Sequence, residues 1–135
     1  MDYEGIIIEE SLQDTSVLDA VDILDTRIEP ITPEHRTPWL SQWTLHTVRV
    51  PEPRAHAVAE ALSTALDPAH PGSWYADFKN ESHHYVVFKD RVFFIDRRNA
   101  GQYAEAHQYG ISRGLPEHQA DFVALVDQPG DNIPT

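Results

Sequence analysis

Three short runs of alternating apolar residues between Trp74 and Asp96 constrain the fold more than any other feature of the chain. They read "WYADFK", "HHYVVFK" and "VFFID", and each has the length of a strand whose side chains point alternately to two faces. Residues 80–82 separate the first two runs and residues 90–91 separate the last two, which are the spacings of hairpin turns. The pattern predicts an antiparallel three-stranded meander.

Further strands and helices are predicted on both sides of the meander. β-Branched residues run together in "YEGIIIEE", and apolar residues alternate in "DILDTRIEP" and "WTLHTVRV". Apolar residues recur at helical spacing in "PEPRAHAVAEALSTALDP", and "SVLDAV" predicts a short helical turn. The run "AGQYAEAHQY" follows Asn99, a favourable N-cap, and is expected to end at Gly110. A short helix from Pro116 and, in "FVALV", either a last strand or an extended arm complete the prediction.

The order of these elements predicts an α+β fold. We expect a largely antiparallel sheet of about five to six strands with helices mainly on one face, a ferredoxin-like or related sandwich being the nearest common architecture. A chain of 135 residues is long enough to form one domain with its own core. Residues 1–126 are therefore expected to form a single domain, and residues 127–135 a flexible tail.

Composition narrows the classes of function. The net charge of −12 disfavours nucleic-acid binding, because an acidic surface repels phosphates. The absence of cysteine excludes thiolate metal sites, and no phosphate loop, nucleophile elbow or zinc-binding helix motif occurs, so no cofactor or metal is predicted. A metal site assembled from distant histidines stays an open alternative, and the scattered ones are His35, His46, His56, His70, His107 and His118. An acidic N-terminus and the lack of an apolar run of about 20 residues predict a cytoplasmic protein that binds no membrane.

The meander carries the candidate site. With a three-residue turn between its first two strands, Asp77 lies opposite Tyr85, and Tyr85 lies opposite Asp96. An acid, a phenol and a second acid then form a row across three strands, with the two acids roughly 10 Å apart at the backbone. Lys79 and His83 form the next row, and acid–base catalysis or ligand binding uses side chains of these types. The same residues also fit an exposed sheet face with ordinary cross-strand pairs, so burial decides between the two interpretations.

A second candidate lies in the connection "PITPEHRTPWLSQW", which contains three prolines and no periodicity. Its Trp39 is costly to expose to water. The segment either packs over an edge of the core or forms a binding loop with Trp39 as its anchor. His84 follows His83 directly and points to the opposite face, so we expect it at the edge of the core, not on a metal ion shared with His83.

Two functions of different classes fit these features. The favoured hypothesis is a small acidic binding or protein-interaction domain, which forms a homodimer through the half-apolar face of the meander that carries Val87, Val92 and Phe94. The Pro-rich connection and the C-terminal arm are the two other candidates for covering this face. The alternative is a small hydrolase or isomerase that uses the acid, phenol and histidine cluster. Catalysis needs this cluster in a partly buried pocket with shifted pKa values, whereas a domain that binds a protein or small molecule needs an exposed patch. The sequence leaves the choice open and assigns no catalytic residue.

The runs "TPWLSQWTLHTV", "SWYADFKN" and "YGISRGLPEHQADF" resemble segments of a family of small prokaryotic proteins that is uncharacterised and has no known activity. The resemblance extends from about Tyr3 to Phe122. It implies a stand-alone cytoplasmic protein, and it transfers no cofactor, substrate or site residue to this chain.

Overall fold

The computed structural model describes residues 1–33, 37–69 and 74–115. The strands within these ranges are β1 Tyr3–Ile8, β2 Asp22–Pro30, β3 Gln42–Val50, β4 Ala76–Lys79, β5 His83–Phe88 and β6 Arg91–Asp96. They form one six-stranded sheet in the order β2-β3-β1-β4-β5-β6, and every neighbouring pair is antiparallel. With the helices, this sheet confirms the predicted α+β fold and its largely antiparallel arrangement.

The described chain contains two α-helices, α1 Ala55–Ala65 and α2 Ala100–Ser112, and 3₁₀ turns at Glu9–Ser11, Thr15–Ala20 and Glu52–Arg54. Asn99 caps α2 as predicted, because its side-chain oxygen accepts a hydrogen bond from the backbone N–H of Gln102 at 3.1 Å. The prediction that Gly110 ends this helix is wrong. Gly114 follows the end of the helix with a left-handed φ of 101°, whereas Gly110 is a buried residue inside it.

The connection from β3 through α1 to β4 forms a split βαβ unit. β3 and β4 are both antiparallel to β1, which lies between them, so they run parallel to each other and α1 provides the crossover. Ferredoxin-like folds contain a unit of the same kind. β1 pairs with β4 over Glu4, Gly5 and Ile6, and this pairing joins β2, β3 and β1 to the meander of β4, β5 and β6.

Alternate residues of β5 pack against different helices. Tyr85 and Val87 belong to the core under α1, whereas Val86 and Phe88 belong to a second core with Tyr103 of α2. Because neighbouring residues in a strand point to opposite faces, α1 and α2 cover opposite faces of the sheet. The 3₁₀ turn Thr15–Ala20 packs on the same core as α1, in agreement with helices mainly on one face, and α2 is the exception because β5 is apolar on both faces.

Three predicted features lie outside the described residues: the helix from Pro116, the strand in "FVALV" and the tail at 127–135. The extent of the domain, 1–126, stays a prediction for the same reason. No helix within the described ranges is both long enough and apolar enough to cross a membrane.

Candidate functional site

The turn between β4 and β5 decides where the predicted site residues lie. Lys79 pairs with His84, and the backbone N–H of Asn80 donates to the carbonyl of His83 at 3.0 Å, so the turn comprises residues 80–83. This is one residue more than predicted, and a one-residue shift turns every side chain of β4 to the other face relative to β5. Asp77 consequently pairs with Val86, and the predicted row of Asp77, Tyr85 and Asp96 is wrong.

Asn80 explains the longer turn. Its side-chain oxygen accepts from the backbone N–H groups of Ser82 at 3.0 Å and His83 at 2.8 Å, which is the turn-forming role that asparagine plays in many loops. Its amide also donates to the carbonyl of Met1 at 3.1 Å. The turn is therefore held by a contact with the far end of the chain, which no local pattern could show.

The meander's second turn shifts the pairing of β5 with β6 as well. Asp90 adopts a left-handed φ of 62°, and the turn comprises Lys89 and Asp90, one position earlier than predicted. Tyr85 therefore pairs with Phe94, and His83 pairs with Asp96. The shift in pairing is an even number of residues, so the side chains of β5 and β6 keep the faces that the sequence predicted.

On the α2 side of the sheet, His84 forms a buried hydrogen-bonded chain with Asp77 and Tyr103. Its Nε2 lies 2.7 Å from Asp77 Oδ2, and its Nδ1 lies 3.0 Å from the Tyr103 hydroxyl. Because a carboxylate can only accept, Nε2 carries the hydrogen, and in a neutral ring Nδ1 accepts from Tyr103. Both ring nitrogens are thereby occupied inside the protein, and a general base needs one that faces the substrate. The arrangement is that of a polar link between α2 and the sheet.

Two of the predicted site residues, Asp77 and Lys79, thus lie on the α2 side. The sheet separates them from the other three, which are His83, Tyr85 and Asp96. Burial, and to a smaller extent the charge of Asp77, raises the pKa of the neighbouring Tyr75 phenol. A raised phenol pKa keeps Tyr75 neutral over the whole physiological range, so it cannot act as a base there. The sequence predicted His84 near the edge of the core but missed its partner Tyr103, which lies 19 residues further along the chain.

On the α1 side, His83, Tyr85 and Asp96 do come together, beside Phe94 and His56; we call these five residues the Phe94 patch. The His83 ring stacks on Phe94, with centroids 4.6 Å apart and planes 11° apart, and Tyr85 lies 4.7 Å from the same ring. The Tyr85 hydroxyl is 3.5 Å from His56 Nδ1. Phe94 remains 48% exposed, so the patch is a small aromatic surface.

Two ionisable groups of the Phe94 patch, Asp96 and Tyr85, have pKa values that are shifted away from neutrality. The backbone N–H of Arg98 donates to Asp96 Oδ1 at 3.0 Å and lowers the pKa of that carboxyl below its usual value. Burial raises the pKa of Tyr85 above its usual value. Both shifts carry the pKa away from neutrality, whereas an efficient general acid or base has a pKa near the working pH.

Trp39 lies in a segment that packs over the core and leaves this side chain partly exposed. Its ring meets Trp74 edge to face, with centroids 6.5 Å apart, and Trp74 also contacts Trp43 at 5.7 Å. The Trp43 indole N–H donates to the hydroxyl of buried Thr37 at 2.8 Å, and Leu40 packs against the α1 core. The described part of the loop therefore fits the predicted packing over an edge of the core, with Trp39 on its outer side.

β2 forms one edge of the sheet, and no strand of the described chain pairs with its outer side. Its side chains are exposed apart from half-buried Glu29, and the exposed fractions of Ile23, Leu24 and Ile28 are 46%, 44% and 59%. An edge strand with exposed apolar side chains is a surface at which another strand can pair. The sequence predicted the strand but missed its position, although a charged strand that ends at Pro30 is typical of an edge.

An open groove of about 530 Å³ lies between the outer face of α2 and the start of β6. The guanidinium of Arg91 lies over the rings of Phe93 and Tyr109, at 4.6 Å and 5.5 Å from their centroids. Glu105 and Gln108 add polar groups to its lining. The groove contains none of the five side chains that the sequence predicted as a site.

No family model, no curated protein and no solved structure matches the chain. The resemblance to a family of small prokaryotic proteins therefore stays a prediction. Within residues 1–33, 37–69 and 74–115, no three His, Asp or Glu side chains come together in a way that could hold a metal ion. His35, His70 and His118 lie outside these ranges, so a site built from distant histidines stays open.

Proposed function

We propose that the protein is a non-catalytic protein-interaction domain of the cytoplasm that forms a homodimer through the edge strand β2. The observation that carries the proposal is the exposure of Ile23, Leu24 and Ile28 along this one strand. Burial of an isoleucine or leucine side chain contributes about 1.5–3 kcal/mol, so covering three half-exposed side chains is a substantial driving force. A partner strand would also satisfy the backbone groups along the open edge of β2.

β2 supports a dimer better than the face of the meander that the sequence suggested. On that face Tyr85 and Val87 are buried against α1, and Val92 packs against the same core, which leaves Phe94 as the exposed apolar side chain. A single aromatic ring offers little area, whereas β2 presents three exposed apolar side chains, Ile23, Leu24 and Ile28. The proposed interface therefore moves from the sheet face to the sheet edge.

The hydrolase or isomerase alternative loses support from the same geometry. Its five residues are divided between the two faces of the sheet, with Asp77 hydrogen-bonded to His84 on one face and Asp96 held by Arg98 on the other. The pKa shifts of Asp96 and Tyr85 run opposite to those that acid–base catalysis needs. The groove beside Arg91 is lined by none of these five residues, so it provides no pocket for their chemistry.

Native mass spectrometry over a concentration series tests the proposal, because it reports the number of subunits and any retained mass. We expect a dimer without added mass. Ile28→Asp should raise the dissociation constant of the dimer at least about tenfold, because it places a charge at the centre of an apolar contact. Ile111→Asp is the matched control, since Ile111 is an isoleucine of α2 that is 37% exposed and lies away from β2. A monomeric wild type, or equal effects of the two substitutions, would contradict the proposal, and a retained small molecule would favour the enzyme alternative.

A further inference from the structure

We propose that the two copies pair β2 against β2, antiparallel and in the register centred on Thr26, so that two six-stranded sheets become one continuous sheet. This inference rests on the proposed function and names the partner surface residue by residue. It follows from the middle of β2, "LDTRI" (residues 24–28), which is complementary to its own reverse when Thr26 is the centre.

The twofold axis of such a dimer is perpendicular to the sheet, so each residue before Thr26 faces the residue equally far after it in the other copy. Asp25 then lies opposite Arg27 of the partner subunit, and this opposite-charge pair occurs twice. Leu24 lies opposite Ile28 of the partner subunit, and this apolar pair also occurs twice. Opposite charges and apolar side chains that face each other directly across antiparallel strands stabilise the pair.

The orientation of the side chains within the chain permits these contacts. Asp25 pairs with Thr47 of β3 and Arg27 pairs with Leu45, so both point to the same face of the sheet. The Arg27 side chain is 63% exposed, and its contact with Glu29 at 3.5 Å is a surface ion pair that contributes little. Arg27 is therefore available for a second carboxylate on that face.

Thr26 is well placed at the centre of the interface. Its hydroxyl is 2.9 Å from Nδ1 of His46, and Nε2 of His46 is 2.8 Å from a carboxylate oxygen of Glu9. The Glu9 carboxylate can only accept, so Nε2 carries a hydrogen and donates to it, and in a neutral ring Nδ1 accepts from Thr26. This chain of contacts holds the middle of β2 on β3. The bulge between Ile23 and Asp25 leaves Leu24 without a partner on β3, next to the three central pairs, which are formed by Asp25, Thr26 and Arg27.

Other registers bring like charges together or shorten the contact. Centring on Asp25 places two Asp25 carboxylates opposite each other. Centring on Arg27 places two guanidinium groups opposite each other, and it also places Asp25 opposite Glu29 of the partner subunit. Centring on Ile28 pairs Arg27 with Glu29 but leaves everything before Thr26 unpaired. The charges of β2 therefore oppose the registers centred on Asp25 and Arg27, and the number of paired residues favours the register centred on Thr26 over the one centred on Ile28.

A charge exchange tests the register. Asp25→Arg and Arg27→Asp each convert both central pairs into like-charge pairs, so each variant alone should self-associate about tenfold or more weakly than the wild type. Mixing the two variants restores both opposite-charge pairs, and so does the double variant D25R/R27D. Native mass spectra of the mixture should show the heterodimer at wild-type strength in preference to either homodimer. Asp19→Arg and Arg54→Asp, exposed positions outside β2 with the same charge changes, should leave dimerisation unchanged.

The outcomes separate this inference from the proposed function. A monomeric wild type overturns both. If the wild type is a dimer and neither single substitution weakens it, the register is wrong although the dimer stands. The same conclusion follows if mixing the two variants does not restore dimerisation. A dimer weakened by Arg27→Asp and not by Asp25→Arg points to the Ile28-centred register and also overturns the inference. Circular dichroism checks that each variant folds, and if one does not, Asp25→Asn and Arg27→Gln should each weaken the dimer about threefold.

Discussion

Replacing Gly5 with alanine is expected to destabilise the fold strongly. Gly5 lies in β1 directly opposite Phe78 of β4. A methyl group built on Gly5 would lie 2.6 Å from Cα and 2.8 Å from Cβ of Phe78, and closer still to the carbonyl oxygen of Asp77. Because the nearest two of these atoms belong to the backbone, no change of side-chain rotamer relieves the clash, and the two strands have to separate.

The magnitude follows from the displacement that the clash requires. Ordinary contact begins at 3.4 Å, so β4 has to move by at least 0.8 Å (3.4 − 2.6) away from β1. A hydrogen bond of about 2.9 Å that lengthens by this amount is lost. Phe78 would also leave its ring contacts, whose centroids are 5.0 Å away for Tyr85 and 5.7 Å for Tyr3. Overpacking costs about 1–3 kcal/mol and each lost hydrogen bond about 1 kcal/mol, so we expect the free energy of unfolding to fall by about 3 kcal/mol or more.

Urea denaturation of the wild type, Gly5→Ala and Gly101→Ala measures this loss, at one protein concentration because dimerisation adds to the apparent stability. Gly101 is the matched control, since it is exposed in α2 and its added methyl group would meet the Asn99 side chain at 3.3 Å. Alanine favours the helix, so Gly101→Ala should change stability by less than about 1 kcal/mol. If Gly5→Ala stays equally close to the wild type, the tight approach of β1 to β4 is refuted.

Two further substitutions test the α2 side of the sheet. The pKa of Tyr75 is raised by burial and by Asp77, so its contribution to stability is complete below the unfolded phenol pKa of about 10 and is lost as the pH rises towards the folded pKa. Urea titrations from neutral to alkaline pH should therefore show that the free energy of unfolding falls more steeply above about pH 10 in the wild type than in Tyr75→Phe. Equal pH dependence in the two proteins would contradict a raised pKa of Tyr75. Tyr103→Phe leaves Nδ1 of buried His84 without its donor and should cost about 1–3 kcal/mol. Tyr109→Phe, at a half-buried tyrosine of the same helix, should cost less than about 0.5 kcal/mol, and equal costs would refute the role of the Tyr103 hydroxyl.

The proposed dimer gives the acidic surface a role. With a net charge of −12, two copies repel each other at long range, and the attraction in the proposed interface comes from short-range apolar contacts and two ion pairs. Added salt should screen the general repulsion more effectively than it weakens the apolar contacts. A protein built in this way pairs in one arrangement and resists indiscriminate association through its open edge.

Local patterns in the sequence determined where the elements lie. The alternation in "WTLHTVRV" assigned Leu45 and Val48 to opposite faces of β3, as the pairing with β1 and β2 shows. The helical spacing after Pro53 marked α1, and Asn99 marked the start of α2. These features depend on residues within one or two turns of each other, so they are encoded in short stretches of sequence.

The tertiary structure alone decided which side chains meet. The register of β4 against β5 depends on Asn80, whose amide reaches the carbonyl of Met1, and one residue of register moved Asp77 away from Tyr85. In the same way, the partner that His84 finds in Tyr103 depends on how α2 docks. The edge position of β2 depends on the order in which distant strands pair. Each of these outcomes depends on contacts between residues that lie far apart in the chain. The free energies of such contacts are set by packing, so a short stretch of sequence does not predict them.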